Sequence, residues 1–203
     1  MFLVLEEQME VVFGELWNLG RGLLGMLNYL NPPIAKHFIG FGPITATSNT
    51  IDKMISIIRE SAANPYIRKW AEKIIEQVPD RKEWMELDAV YRFLQKYTRY
   101  TKDPLEFEYI QTPVYVLNQM EIGDVPSLDC DDYTVLSLSL LRSIGYDTSI
   151  KVTGYNPKNK VFSHVYGIVW LNNTGVVFDA IHKNKPLGWE PPGAVWVMER
   201  DVI

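Results

Sequence analysis

The stretch Ser127–Gly145, SLDCDDYTVLSLSLLRSIG, decides how the rest of the chain is read. It holds the only cysteine, Cys130, between Asp129 and Asp131, and it runs into an apolar segment closed by Gly145. Asp129 is a good helix N-cap, and Asp132 three positions on has the spacing of a capping box. Gly145 suits the residue just past the helix end. Cys130 then takes the first helical position, where orphan N–H groups and the positive helix end favour a thiolate. The flanking carboxylates oppose this. A cationic histidine beside the thiol is needed to bring its pKa below the usual value of about 8.5. A lone cysteine is more often a small buried apolar residue, but an N-cap loop outside the apolar stripe is a poor place for one.

Composition narrows the classes. Of the 203 residues 47% are apolar and 22% charged, enough for a packed core and against wholesale disorder. The net charge of −5, with no basic run, argues against nucleic acid as a partner. One cysteine makes no internal disulfide and no C-x-x-C pair, so the chain shows no sign of needing an oxidising compartment. The opening MFLVLEEQME carries Glu6, Glu7 and Glu10 where a secretory leader wants positive charge. Val11–Leu30 is apolar, but Glu15, Arg21 and four glycines interrupt it, and no membrane span is expected. Gly20, Gly22 and Gly25 spell G-x-G-x-x-G without a strand before them, so no dinucleotide site follows.

Residues 1–50 are rich in Gly, Pro and aromatic residues and read as an apolar docking extension, with residues 51–203 as the main domain. Asn64 and Pro65 look like the N-cap and first residue of a helix, followed by an apolar stripe at Ile67, Trp70, Ala71, Ile74, Ile75 and Val78 that ends at Pro79. Trp84, Leu87, Tyr91 and Leu94 continue at helical spacing. TRYTKDPLEFEYIQTP reads as an extended or looped crossing. After Gly145 the pattern changes to strands: TSIKVTGY, SHVYGIVWL and GVVFDAI, with NNTG as a turn and AVWVM as an edge strand. Helices followed by an antiparallel sheet give an α+β fold.

Three histidines are available. His37 lies in the extension, His182 beyond a strand end, and His164 at the start of a strand. Asp179 lies at the end of the next strand, an odd place for an unpaired carboxylate. Singly, His164 reads as a satisfied strand histidine and Asp179 as a strand-end cap. With Cys130 they supply a nucleophile, a base and an orienting acid. An even-numbered hairpin loop puts His164 and Asp179 on one face. A turn centred on Asn173 and Thr174 offsets them by four residues, whereas a Trp170–Asn173 loop sets them opposite one another.

These residues carry a family resemblance. LDCDDYTVLSLSLLRSIGYDTSIKV, SHVYGIVW and VVFDAI, over roughly residues 88–182, resemble the transglutaminase-like superfamily of papain-related thiol enzymes, and DPLEFEYIQTP resembles the lead-in of its bacterial and bacteriophage members. The resemblance implies a papain-like core in which a nucleophile-bearing helix packs on an antiparallel sheet. It also implies Cys130 as nucleophile, His164 as base and acid, and Asp179 as orienter. Members often have Gly where this chain has Leu128, a change that narrows the cleft beside the thiol. The backbone N–H of Cys130 is the natural first oxyanion donor, with Gln111 and Gln119 as side-chain candidates.

The expected activity is thiol-dependent hydrolysis of an amide bond in a peptide or protein. The alternatives are protein-glutamine amine transfer or deamidation, and a catalytically silent subunit of a larger assembly. No cofactor and no metal are expected, because Asp129, Asp131 and Asp132 project in different directions. Residues 1–50 are expected to bind protein partners, in the cytoplasm or, by the resemblance to bacteriophage members, in a virion.

Overall fold

The helix that opens at Cys130 is the axis around which the rest is built. The structure is a computed structural model and describes residues 36–38, 45–102 and 109–203. Its elements are β1 (Lys36–Phe38), α1 (Thr45–Ala62), α2 (Pro65–Ile75), α3 (Glu83–Tyr97), β2 (Arg99–Tyr100), β3 (Tyr109–Gln111), α4 (Pro113–Glu121), β4 (Ser127–Leu128), α5 (Cys130–Ser143), β5 (Asp147–Gly154), β6 (His164–Leu171), β7 (Thr174–Phe178) and β8 (Trp196–Asp201). The fold is α+β, with helices first and an antiparallel sheet after them.

α5 begins as its sequence demands. Asp129 Oδ1 accepts from the N–H groups of Asp131 (3.0 Å) and Asp132 (3.1 Å), and Asp132 Oδ2 accepts from Asp129 N–H at 3.4 Å. This capping box satisfies the orphan donors of the first turn. The helix is buried nearly all round, between α1, α2, α3 and α4 on one side and the sheet on the other. Its serines tolerate this because each returns its hydroxyl to the helix backbone: Ser137 to Thr134 O, Ser139 to Val135 O and Ser143 to Leu140 O.

The main sheet has the order β7-β6-β5-β8, antiparallel throughout. The β5–β6 and β6–β7 registers place Ile150, Val152, Val165, Gly167, Val169, Val176 and Phe178 on one face. α5 packs against that face. A Cβ on Gly167 would stand 2.5 Å from Leu138 Cδ2, so only glycine lets helix and strand approach this closely. The β6–β7 loop is Asn172–Asn173, both at positive φ (48° and 65°), the geometry that a two-residue hairpin turn requires. Two further strand pairs flank the helix start: β1 with β3, antiparallel, and β2 with β4, parallel.

The remaining helices match the reading in part. Asn64 caps α2 through Tyr66 N–H (2.9 Å) with Pro65 first, but the helix ends at Ile75, before Pro79. Ile67, Trp70, Ala71 and Ile74 are buried, and the large ones contribute about 1.5–3 kcal/mol each. In α3 Leu87, Tyr91 and Leu94 are buried, whereas Trp84 is 51% exposed. Two helices went unread. α4 is opened by Thr112 and Pro113, directly after the stretch taken as a crossing. α1 buries Ile51, Met54, Ile57 and Ile58 in the core and passes through the expected boundary at residue 50. The rest of the expected docking extension lies outside the described residues, apart from β1. No helix of the described residues is long and apolar enough to cross a membrane.

Candidate active site

The hairpin register decides where the two polar strand residues meet. Leu171 pairs with Thr174 and Gly167 with Phe178. Continuing that register offsets His164 and Asp179 by two positions on the same face, a diagonal pair within reach of a long side chain. His164 Nε2 and Asp179 Oδ2 are 2.8 Å apart. The Asp179 side chain is 1% exposed and that of His164 is 11% exposed, so this is a desolvated hydrogen bond. The His164 ring also packs against Tyr166, with centroids 5.4 Å apart. The Tyr166 hydroxyl donates to Glu190 Oε1 at 2.6 Å, and the same oxygen takes Lys151 Nζ at 2.5 Å.

Cys130 comes from the first turn of α5. α5 starts at the rim of the sheet, where Thr134 Oγ1 donates to both Cys130 O (2.8 Å) and Val165 O (3.3 Å). Thr134 thereby ties the first turn of α5 to Val165, the residue that follows His164. Cys130 is half-buried, and its Sγ–H donates to Asp131 Oδ1 at 3.5 Å.

The expected depressed thiol pKa is not what this environment produces. Burial pushes the Cys130 thiol up, and the carboxylates of Asp131 and Asp129 push it further, against a lowering contribution from the Val165 N–H. The capping box works in the same direction. Asp129 already occupies the N–H groups of the first turn that would have held a thiolate. This environment favours the neutral thiol.

Of the two amides considered as oxyanion donors, Gln111 is engaged elsewhere. Its Nε2 donates to Ser127 O (2.9 Å) and Asp132 Oδ2 (2.6 Å), and its backbone N–H donates to Asp132 Oδ1 (2.7 Å). Gln111 thus ties β3 to the start of α5. Gln119 lines a shallow recess with Arg99, Tyr115, Asp124 and Ser127, to which neither Cys130 nor His164 contributes. Leu128 is fully buried in the core.

Two residues near the site were given no role in the sequence reading. Tyr100 pairs with Leu128 across β2 and β4, two residues before Cys130. Burial, then the charges of Cys130, Asp129, Asp179 and Asp131, push its phenol up to about 12. It stays protonated at neutral pH. Only the β2–β4 pairing, between segments 28 residues apart, sets it opposite Leu128. The second is His182. Its Nε2 lies 3.7 Å from Asp179 Oδ2, and its ring meets Trp189 edge-on at 4.9 Å. His164, Asp179 and His182 offer three ligand atoms within 4.8 Å of one another, a grouping that could hold a metal ion and that the sequence reading did not expect.

No family model matches the sequence, and no curated protein matches it. Among solved structures the chain is similar to a protein of Cytophaga hutchinsonii described as a candidate cysteine protease, with a TM-score of 0.48 and 12% identity, over 79% of this chain and 50% of that one. It is also similar to Legionella pneumophila LapG, with a TM-score of 0.44 and 15% identity, over 74% of this chain and 79% of LapG. An EGTA-treated form of LapG aligns with the same TM-score over 78% of its length. The chain spans half the length of the Cytophaga protein. These are remote likenesses of fold.

Proposed function

We propose that this protein is a thiol amidohydrolase of transglutaminase-like type, acting on an amide bond of a peptide or protein through Cys130, His164 and Asp179. One observation carries the reading: a desolvated 2.8 Å hydrogen bond orients the His164 ring through Nε2, one residue from Val165, whose carbonyl Thr134 Oγ1 links to that of Cys130. With Nε2–H donated to Asp179, Nδ1 keeps its lone pair for the thiol proton.

Reaction begins when Sγ–H leaves Asp131 Oδ1 and gives its proton to His164 Nδ1. The sulfur attacks the amide carbon, and negative charge builds on the carbonyl oxygen. The Cys130 N–H and the Tyr100 hydroxyl are the donors for that oxygen. His164 then protonates the leaving amine, leaving a thioester. Water, deprotonated by the same imidazole, releases the acid and restores the thiol. Because Asp131 and burial hold the thiol neutral, the base must act at the moment of attack. Amine transfer shares every step up to the thioester.

The test uses a peptide-based thiol-reactive probe, followed by a peptide library and a glutamine donor with a labelled amine. Labelling at Cys130 that depends on His164, with cleaved peptides as products, is the expected result. Incorporation of the amine without cleavage would replace hydrolysis by transfer. Equal labelling of wild type and His164→Ala would sink the triad reading.

A further inference from the structure

Asp179 has a second histidine partner that the proposed reaction leaves unused. The structure assigns His164, Asp179 and His182 to a zinc-class metal site whose occupation switches off His164 as a base.

The donors suit such an ion. Imidazole nitrogen and carboxylate oxygen bind Zn²⁺ and Co²⁺ at about 2.0–2.2 Å, so ligand atoms in a tetrahedral shell lie about 3.3 Å apart. Asp179 Oδ2 lies 2.8 Å from His164 Nε2 and 3.7 Å from His182 Nε2, and all three ligand atoms fall within 4.8 Å. Small side-chain shifts bring the set to that spacing. The buried carboxylate supplies the negative charge, and the 40% exposed His182 opens the site to solvent.

His182 is held ready for this. Its carbonyl accepts from Gln95 Nε2 and from Lys185 N–H, both at 2.9 Å. The Tyr91 hydroxyl bridges the carbonyls of Asp179 (3.0 Å) and Lys185 (3.1 Å). Two α3 side chains thus pin the segment carrying two of the ligands, while Trp189 supports the His182 ring. Lys185, over the Trp189 ring at 4.8 Å, is a nearby cation that limits affinity without occupying the ligand positions.

The switch follows from proton positions. Catalysis needs Nε2–H toward Asp179 and a lone pair at Nδ1. A metal takes the Nε2 lone pair, so the ring proton must sit at Nδ1, and His164 can no longer accept the thiol proton. Metal binding and base function exclude each other. This consequence rests on the triad reading, whereas binding itself does not.

Co²⁺ titrated into chelator-stripped full-length Cys130→Ser protein, followed by visible absorption, reads the site without the thiol. One equivalent with ligand-field bands is expected, and His182→Ala should weaken binding by about tenfold or more. No bands in Cys130→Ser, or an unchanged titration in His182→Ala, overturns the site. For the switch, probe labelling of Cys130 is compared with and without Zn²⁺ in wild type and in His182→Ala. Zinc should suppress labelling in the wild type at concentrations that leave the variant's ratio near one. Equal rates with and without bound zinc, or equal suppression in the variant, overturn the switch. If metal-free wild type is not labelled at all, the triad reading has failed, and the Co²⁺ titration still decides the site.

Discussion

His164 and Asp179 sit two register positions apart on neighbouring strands of the main sheet, and their side chains close that gap with a 2.8 Å hydrogen bond. A diagonal pair needs a long donor and a short acceptor at the rim. Imidazole and carboxylate meet that demand where β7 has just ended at Phe178. The bond commits Nε2 to Asp179, and the proposed reaction uses the other ring nitrogen, Nδ1.

Asp131 Oδ1 accepts the hydrogen bond of the Cys130 thiol. Replacing Asp131 by Asn removes the nearest carboxylate charge on Cys130 while keeping shape. The thiol pKa should fall and iodoacetamide alkylation at pH 7 should speed up several-fold. The rate–pH profile of variant and wild type checks this, and a slower or unchanged variant rate would refute the assignment of cause.

Tyr100→Phe separates an oxyanion donor from a packing residue. Loss of one such donor costs about 100-fold or more in kcat with KM little changed. Iodoacetamide alkylation builds no tetrahedral oxyanion and should be nearly unaffected. If kcat survives intact, or if alkylation falls in step with it, Tyr100 does not play this part.

The contact between Gly167 and Leu138 limits how near α5 can stand to β6. Gly167→Ala should cost about 1–3 kcal/mol through overpacking, read from the urea midpoint. Combining it with Leu138→Ala should cost less than the sum of the two single changes, since each relieves the other's fault. Strict additivity would show that the close approach is not the source of the penalty.

Alkaline pH should destabilise the protein in two stages. Burial first, then nearby carboxylates, raise the Cys130 thiol, and burial first raises Tyr91 and Tyr100 to about 12. A group whose folded pKa lies above its unfolded value gives stability that is complete below the unfolded value and lost as pH climbs through the folded one. The melting temperature should therefore hold up to about pH 8.5 and fall above it, with the phenols adding to the decline beyond about pH 10. Cys130→Ser should remove the earlier part of the fall, and a parallel curve for the variant would contradict the thiol's share.

The sequence by itself determined what depends on neighbours along the chain. Asp129, Cys130 and Asp132 set the helix start because capping is decided within four residues. Alternating β-branched and aromatic residues set β5, β6 and β7, and parity alone put His164 and Asp179 on one face. Ile51, Met54, Ile55 and Ile58 carry helical spacing, but α1 went unread beside the Gly/Pro-rich segment that precedes it.

The tertiary structure decided what depends on residues brought together from afar. The Asn172–Asn173 turn fixed an offset of two, where counting along the chain offered zero or four. The β2–β4 pairing set Tyr100 opposite Leu128, two residues before Cys130, and Asp132 took both Gln111 nitrogens out of contention. The fixing of the segment 179–185 by Tyr91 and Gln95 turned His182 toward Asp179. The thiol's protonation state was settled in the same way. A helix start favours a thiolate only while its N–H groups are available and its charge is solvated, and here a neighbouring carboxylate has taken the first and burial has removed the second.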